Sequence, residues 1–328
     1  MPALPWDAVI DVVQKSRSFL LTTHVNPDGD GLGSELALAR WLASQGKRVR
    51  IVNADPLPSR YGFLDRGGEF GRWDDEGSRA HLGDVDAVFV LDISRWERLG
   101  EMAAPLHAFR GPRVCIDHHP YENGFADMHL IDDSASATAE LVHELLGRLG
   151  ARLTLAELEP LYVAILTDTG SFRFSNTTPR ALEIAAEAVR AGVRVDHLYS
   201  TLYESFSPER MRLLSRVLAD LRLECGGRLA HFLVTRSMLA DSGASEDDTE
   251  GLADYPRTIR GVDVVLFFLE TREGGTKVSL RSRGEGFDVN ALASRFGGGG
   301  HARAAGISFQ ESPDKIREFL LDAARALL

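Results

Sequence analysis

The sequence predicts an α/β protein of two domains: an N-terminal doubly wound, mostly parallel sheet, then a smaller α+β domain. Three observations carry this. The first half alternates short apolar, β-rich runs with segments of helical periodicity, the signature of a parallel sheet with crossover helices. The second half groups its β-rich runs together and closes on helices. The 328 residues also exceed what one core usually serves, since a domain takes roughly 100 to 200.

In chain order, "SFLLTT" is the first strand, and "HVNPDGDG" after it reads as a loop. "GSELALARWLASQG" carries apolar residues at helical spacing and is closed by Gly46. Strands "RVRIVNA", "VDAVFVLD" and "RVCID" follow. Ligands of doubly wound sheets bind beyond the carboxyl ends of the strands, where His24, Asp92 and Asp117-His118-His119 fall. "SASATAELVHELLGRLG" and "TLAELEPLYVAILTDTG" are helices, the first opening on Ser and Thr suited to capping, the second ending at Asp168. "FSPERMRLLSRVLADL" reads as a helical connector, which sets domains at 1–192 and 217–328 with a linker at 193–216. Strands "RLAHFLV", "VDVVLFFLE" and "TKVSLRSR", a short helix "DVNALASRFG", the glycine run and a final helix make the second domain.

Composition narrows the function. The longest apolar runs are far short of the roughly 20 residues that span a bilayer, and the N-terminus lacks a basic-then-apolar secretory pattern. A cytoplasmic protein is expected. Cys115 and Cys225 lie in strand-like segments and read as buried thiols. A net charge of −11 argues against tracking long or duplex nucleic acid, which depends on neutralising many phosphates. A small anionic substrate would need local positive charge from metal ions or a few arginines.

His24, Asp28, Asp30, Asp92, Asp117, His118, His119 and Asp168 collect at one edge of the predicted sheet or beside it. Singly, each fits a cap, a turn or a structural residue. Together they pose a charge problem, because crowded carboxylates raise one another's pKa unless a cation is present. Two divalent ions solve it. Carboxylate and imidazole donors suit Mn, Fe, Co or Zn, and a two-metal site requires a carboxylate that touches both ions.

"HVNPDGDGLGS", "VLDIS", "IDHHP" and "ILTDTGSFRFSNT" resemble, in order and spacing, the four motifs of the DHH phosphoesterase family, and "GGGGHARAAG" resembles the signature of the DHH-associated C-terminal domain. The resemblance implies an active site in a cleft between the domains and two divalent ions, Mn²⁺ by family habit. It implies that His24 and Asp28 hold one ion, that Asp30, His118 and Asp168 hold the other, and that Asp92 bridges them. Asp117 would orient an imidazole, and His119 would point away from the metals toward substrate phosphate or leaving group. The expected chemistry is in-line hydrolysis of a phosphoester by a metal-activated water, with Asp92, Asp117 and His119 as the catalytic set.

The run Gly297 to Gly300 fits neither a P-loop nor a dinucleotide fingerprint. The amides of Gly298, Gly299 and Gly300, with His301, are expected to approach substrate as a loop. Arg281 and Arg283, two apart on one strand and so on one face, would fork a terminal phosphate, with Arg95 adding a donor near the metals. The resemblance is closest to the nanoRNase branch: enzymes that cut RNAs of about 2–5 nucleotides to 5′-monophosphates in the 5′-to-3′ direction and convert 3′-phosphoadenosine 5′-phosphate (pAp) to AMP. RNA against single-stranded DNA, and monomer against homodimer, stay open. A cyclic-di-AMP or linear pApA phosphodiesterase shares every motif. A non-catalytic nucleotide-binding adaptor would lack metal ligands that are present here.

Overall fold

The computed structural model describes residues 4–73, 82–93, 95–121, 126–284 and 286–328, with the His301 side chain outside the description. The chain divides into two units, Met1–Glu204 and Ser205–Leu328.

The first unit runs α1 (Trp6–Lys15), β1 (Ser18–Thr22), α2 (Gly29–Ser44), β2 (Arg48–Asn53), β3 (Phe70–Arg72), β4 (Ala87–Leu91), α3 (Ala103–Ala108), β5 (Arg113–Asp117) and β6 (Met128–Ile131). Four helices complete it: α4 (Thr138–Arg148), α5 (Leu155–Asp168), α6 (Pro179–Arg190) and α7 (Val195–Tyr203). Among the described residues the strands form one parallel sheet in the order β3-β2-β1-β4-β5-β6. The four central strands are the four expected from sequence. β3 and β6 are edge strands of three and four residues, too short for a periodicity to stand out.

Both sheet faces are covered, and alternate side chains of one strand feed separate cores. Phe19, Leu21, Phe89, Leu91, Val114 and Ile116 pack under α2, α4 and α5, while Leu20, Val88, Val90 and Cys115 pack on the other side with Leu99, Met102 and Leu106. That two-sided burial is why these strands read as continuous apolar runs. Strand order reverses between β1 and β4. Their register pairs Thr22 with Val90, and β4–β5 pairs Leu91 with Ile116, so His24, Asp92 and Asp117 leave the sheet side by side.

"HVNPDGDG" is not all loop. α2 begins at Gly29, with Asp28 as its N-cap accepting from the Asp30 and Gly31 amides, and Asp30 in its first turn. The glycines there permit close packing: a Cβ on Gly29 would strike the Thr167 hydroxyl, and one on Gly33 the Pro160 carbonyl, both on α5. Pro160 cannot donate to the Ala156 carbonyl, and Arg40 of α2 fills that place with Nη1 at 3.0 Å.

The second unit comprises α8 (Pro208–Asp220), β7 (Arg222–Glu224), β8 (Leu229–Val234), α9 (Arg236–Ser242), β9 (Val264–Glu270), β10 (Thr276–Ser282), α10 (Val289–Ser294), β11 (Gly299–His301), β12 (Ala304–Phe309) and α11 (Pro313–Arg325). Its mixed sheet has the order β11-β12-β10-β9-β8-β7, with β8–β9 parallel and the other pairs antiparallel. The expected connector α8 packs Leu213, Leu214 and Val217 against Phe232 and Phe267, so it belongs to this core. Cys115 is buried, but Cys225 is exposed, because it sits in the tight turn Cys225–Gly227 between β7 and β8. Among the described residues no helix is long and apolar enough to cross a membrane.

An alanine inside a helix normally gains up to about 1 kcal/mol over glycine. At Gly33 the sign is expected to reverse, with Gly33→Ala losing about 1–3 kcal/mol of stability by overpacking against α5. Urea unfolding of the two chains measures it; equal or greater stability would refute the close approach.

Candidate metal centre

Asp92 follows β4 with φ of 60°, a left-handed backbone that costs an L-residue roughly 1 kcal/mol and that Asp tolerates better than most. The twist turns its carboxylate over the sheet edge, where the two oxygens face different neighbours. Oδ2 lies 3.4 Å from His24 Nε2, which is 3.6 Å from Asp28 Oδ2. Oδ1 lies 3.6 Å from His118 Nε2, which has Asp168 Oδ2 at 3.6 Å and Asp30 Oδ2 at 3.7 Å. These separations are long for hydrogen bonds. They suit donors sharing an ion: two ligands about 2.1 Å from one cation stand roughly 3.0 Å apart at a right angle and 3.4 Å at the tetrahedral angle. His24, Asp28 and Asp92 could hold one ion, and Asp30, Asp92, His118 and Asp168 a second.

The protein's own charges conflict at this point. Burial and the Asp92 charge push the Asp30 carboxyl well above the usual range. Burial, with Asp92 and Asp28 adding to it, holds Asp168 up at about 7. At His24 and His118 burial disfavours the charged imidazole, yet the surrounding carboxylates outweigh it and lift both to about 10. At neutral pH the cluster therefore carries protons that a divalent ion must displace.

Neighbouring elements hold the donors in place. Asp30 accepts from the Thr138 amide at 2.6 Å and the Ala139 amide at 3.1 Å, so a carboxylate from α2 caps the N-terminus of α4. The Thr138 hydroxyl donates to Asp92 Oδ1 at 3.1 Å. Asn176 Nδ2 lies 3.2 Å from the Asp168 carbonyl and 3.3 Å from its Oδ2. His24 Nδ1 lies 2.8 Å from the Val25 carbonyl and 3.0 Å from an Arg98 nitrogen. His118 Nδ1 faces the Ala135 carbonyl at 3.3 Å. The sequence reading missed Thr138, Asn176 and Arg98. A clue existed for Thr138: the N-cap of α4 is Ala137, which has no side-chain acceptor, so its first amides needed one from elsewhere.

Asp117 orients the imidazole of His119, with Oδ1 2.7 Å from Nδ1 and accepting also from the His119 amide at 3.1 Å. Burial would raise Asp117, but the bond to His119 overrides it and holds the carboxyl at about 2. An ionised Asp117 can only accept, which fixes the proton on His119 Nδ1. His119 does not turn away from the cluster, since Nδ1 is 3.5 Å from Asp92 Oδ1. Arg95 is half-buried at the start of the turn Trp96–Met102.

The remaining candidates belong to the second unit. The glycine run is not a loop, because Gly299–His301 form the outermost strand β11, paired with β12. A Cβ on Gly298 would strike the Gly306 carbonyl, and Gly300 has φ of 144°. The register places Arg281, Ala304 and His301 in one row across three strands. Arg283 lies one residue past the end of β10, its amide donating to the Asp263 carbonyl at 2.8 Å. Arg281 Nε lies 3.5 Å from Asp254.

Protons and ions compete for the same donors, so divalent-ion binding is expected to release protons and to tighten as pH rises through 7. Calorimetry in two buffers of different ionisation enthalpy reads both, and pH-independent affinity would contradict the assignment. Thr138→Val keeps the amide to Asp30 and deletes the hydroxyl to Asp92; ion affinity should fall about 10- to 100-fold with the melting temperature little changed.

Residues 18–197 match the model of the DHH family, N-terminal domain, and residues 229–328 that of the DHHA1 domain. The chain is 38% identical over 308 residues to a bifunctional oligoribonuclease and PAP phosphatase NrnA of Thermus thermophilus, covering 93% of this chain and 88% of that one. It is 28% identical to the Bacillus subtilis protein of the same name, over 96% of each. A crystal structure of an exopolyphosphatase-related protein from Bacteroides fragilis superposes with a TM-score of 0.91 at 28% identity, covering 98% of this chain and 96% of that one. The chain belongs to the DHH family, with a DHHA1 domain following the DHH domain.

Proposed function

We propose that this chain is a metal-dependent phosphoesterase that degrades RNAs of about 2–5 nucleotides to nucleoside 5′-monophosphates, working 5′ to 3′ in the cytoplasm, and that dephosphorylates pAp to AMP. The carrying observation is the division of Asp92, whose two oxygens face two separate histidine–carboxylate groups. Support comes from the divalent-metal dependence of DHH-family hydrolases and from the name of the relative that matches 93% of the chain.

In this reading His24 and Asp28 would hold one ion, Asp30, His118 and Asp168 would hold the other, and Asp92 would serve both, with Mn²⁺ as the ion used. When bound, the ions lower the pKa of the attacking water and offset charge on the phosphoryl oxygens. The protein's residues supply order. Thr138 and Asn176 keep Asp92, Asp30 and Asp168 aimed inward. Asp117 holds His119 with its proton on Nδ1, so Nε2, once protonated, donates to a non-bridging or leaving oxygen. Arg95 contributes positive charge near the scissile phosphate. Gly298, Gly299, Gly300, His301, Arg281 and Arg283 hold the nucleotide end of the substrate.

The deciding measurement is kcat/KM with Mn²⁺ for 5′-phosphorylated linear diadenylate, cyclic diadenylate and pAp. A strong preference for the linear dinucleotide together with pAp turnover is expected. Comparable turnover of the ring would assign the enzyme to second-messenger breakdown, and hydrolysis of none would reject the phosphoesterase reading. Asp92→Ala should abolish hydrolysis while circular dichroism stays unchanged; retained activity would eliminate the bridging role.

A further inference from the structure

Glu35 is fully buried in α2, five residues beyond Asp30, and the chemistry above gives it no part. Its Oε2 accepts from Asn53 Nδ2 at 2.9 Å, and its Oε1 has no hydrogen-bond partner among the described residues. Asn53, at the end of β2 and 2% exposed, presents Oδ1 to the Thr23 amide at 2.9 Å and to the Thr22 hydroxyl at 3.3 Å. The Thr23 hydroxyl then donates to the Leu91 carbonyl at 2.8 Å. Thr23 precedes His24, and Leu91 precedes Asp92. One chain of hydrogen bonds thus runs from Glu35 to the backbone beside two members of a single ion-binding group.

The direction of that chain depends on Glu35. A side-chain amide can turn end for end without changing shape, exchanging its donor and acceptor. The Thr23 amide requires Oδ1 opposite it, and that orientation leaves Nδ2 needing an acceptor on the far side. Glu35 is that acceptor, and an apolar side chain there would leave the Asn53 donor buried and unmet, at a cost of about 1–3 kcal/mol. Burial pushes the Glu35 carboxyl up to about 8, so at neutral pH it accepts on Oε2 while adding little charge to a crowded acidic cluster.

We propose that Glu35 is a positioning residue for the ion-binding group His24–Asp28–Asp92, acting through Asn53 and Thr23 without touching an ion. The proposal rests on the two-ion reading given above. It predicts that the group on the other side of Asp92, namely Asp30, His118 and Asp168, is little affected, since its supports come from α4 and Asn176.

The test is titration with Mn²⁺, by calorimetry and by the electron paramagnetic resonance of free Mn²⁺, of the wild type, Glu35→Met, Glu35→Gln, Asn53→Ala and the double variant Glu35→Met/Asn53→Ala. Melting in EDTA checks folding. The wild type should bind two ions. Glu35→Met and Asn53→Ala should each weaken one of them by about 10- to 100-fold, and the double variant should be no worse than the weaker single, as residues in one relay require. Glu35→Gln, which keeps the acceptor, should restore wild-type affinity. Wild-type binding by Glu35→Met, additive losses, or a Gln variant as weak as Met would each overturn the proposal. Should Glu35→Met not fold, Asn53→Ala decides: wild-type affinity for both ions overturns it. A wild-type chain that binds no divalent ion would instead overturn the two-ion reading itself.

Discussion

The two oxygens of Asp92 organise the first unit. A carboxylate 2% exposed, in a left-handed backbone, with a histidine on each side, is held in no comfortable position by its own residue. It stays there because β4 is the central strand beside the order reversal, with β1 and β5 as neighbours. The β1–β4 and β4–β5 registers deliver His24 and Asp117 to the level of Asp92. A one-residue change of register would turn every strand side chain to the other face and separate them. The two-sided core therefore fixes the geometry of the cluster.

The helices contribute the other half by approaching one another closely. Gly29 and Gly33 let α2 lie against α5, bringing Asp30 at the start of one helix near Asp168 at the end of the other. Past Asp168 the chain runs through Gly170, Ser171 and Phe172, all with φ between 56° and 63°. Ser171 and Phe172 each cost roughly 1 kcal/mol there, offset locally by bonds from the Ser171 amide to the Leu166 carbonyl at 2.7 Å and from the Phe172 amide to the Thr169 hydroxyl at 3.0 Å. The turn returns the chain so that Asn176 reaches Asp168. Strain at this turn thus lies beside the crowded acidic cluster, whose carboxyls Asp30 and Asp168 are pushed up by burial and by the Asp92 charge.

The acidic cluster also sets what surrounds it. Asp30 satisfies the first amides of α4, which lets Ala137 stand where a polar cap would be usual. Asn53 extends the β1–β2 pairing past its last ladder bond, and Glu35 fixes which way Asn53 faces. These polar groups are buried in the midst of the apolar core, and each is specified by its neighbour's donor or acceptor.

The sequence by itself determined the alternation of central strands and helices, because strands covered on both faces must be continuously apolar. It also determined the members of the cluster, because acidic and imidazole groups at strand ends are chemically conspicuous. The tertiary structure decided which group touches which. Asp28 and Asp30 stand in or against a helix because a trans-capping carboxylate and close α2–α5 packing favour that start, and neither is a local signal. Gly299 and Gly300 became an edge strand because β12 supplies the partner, a non-local pairing that overrides glycine's preference for turns. Thr138, Asn176, Asn53 and Glu35 are ordinary helix, turn and strand-end residues in the sequence. Their roles exist only where chain segments 8 to 108 residues apart meet, since a hydrogen bond needs its partner within about 3 Å.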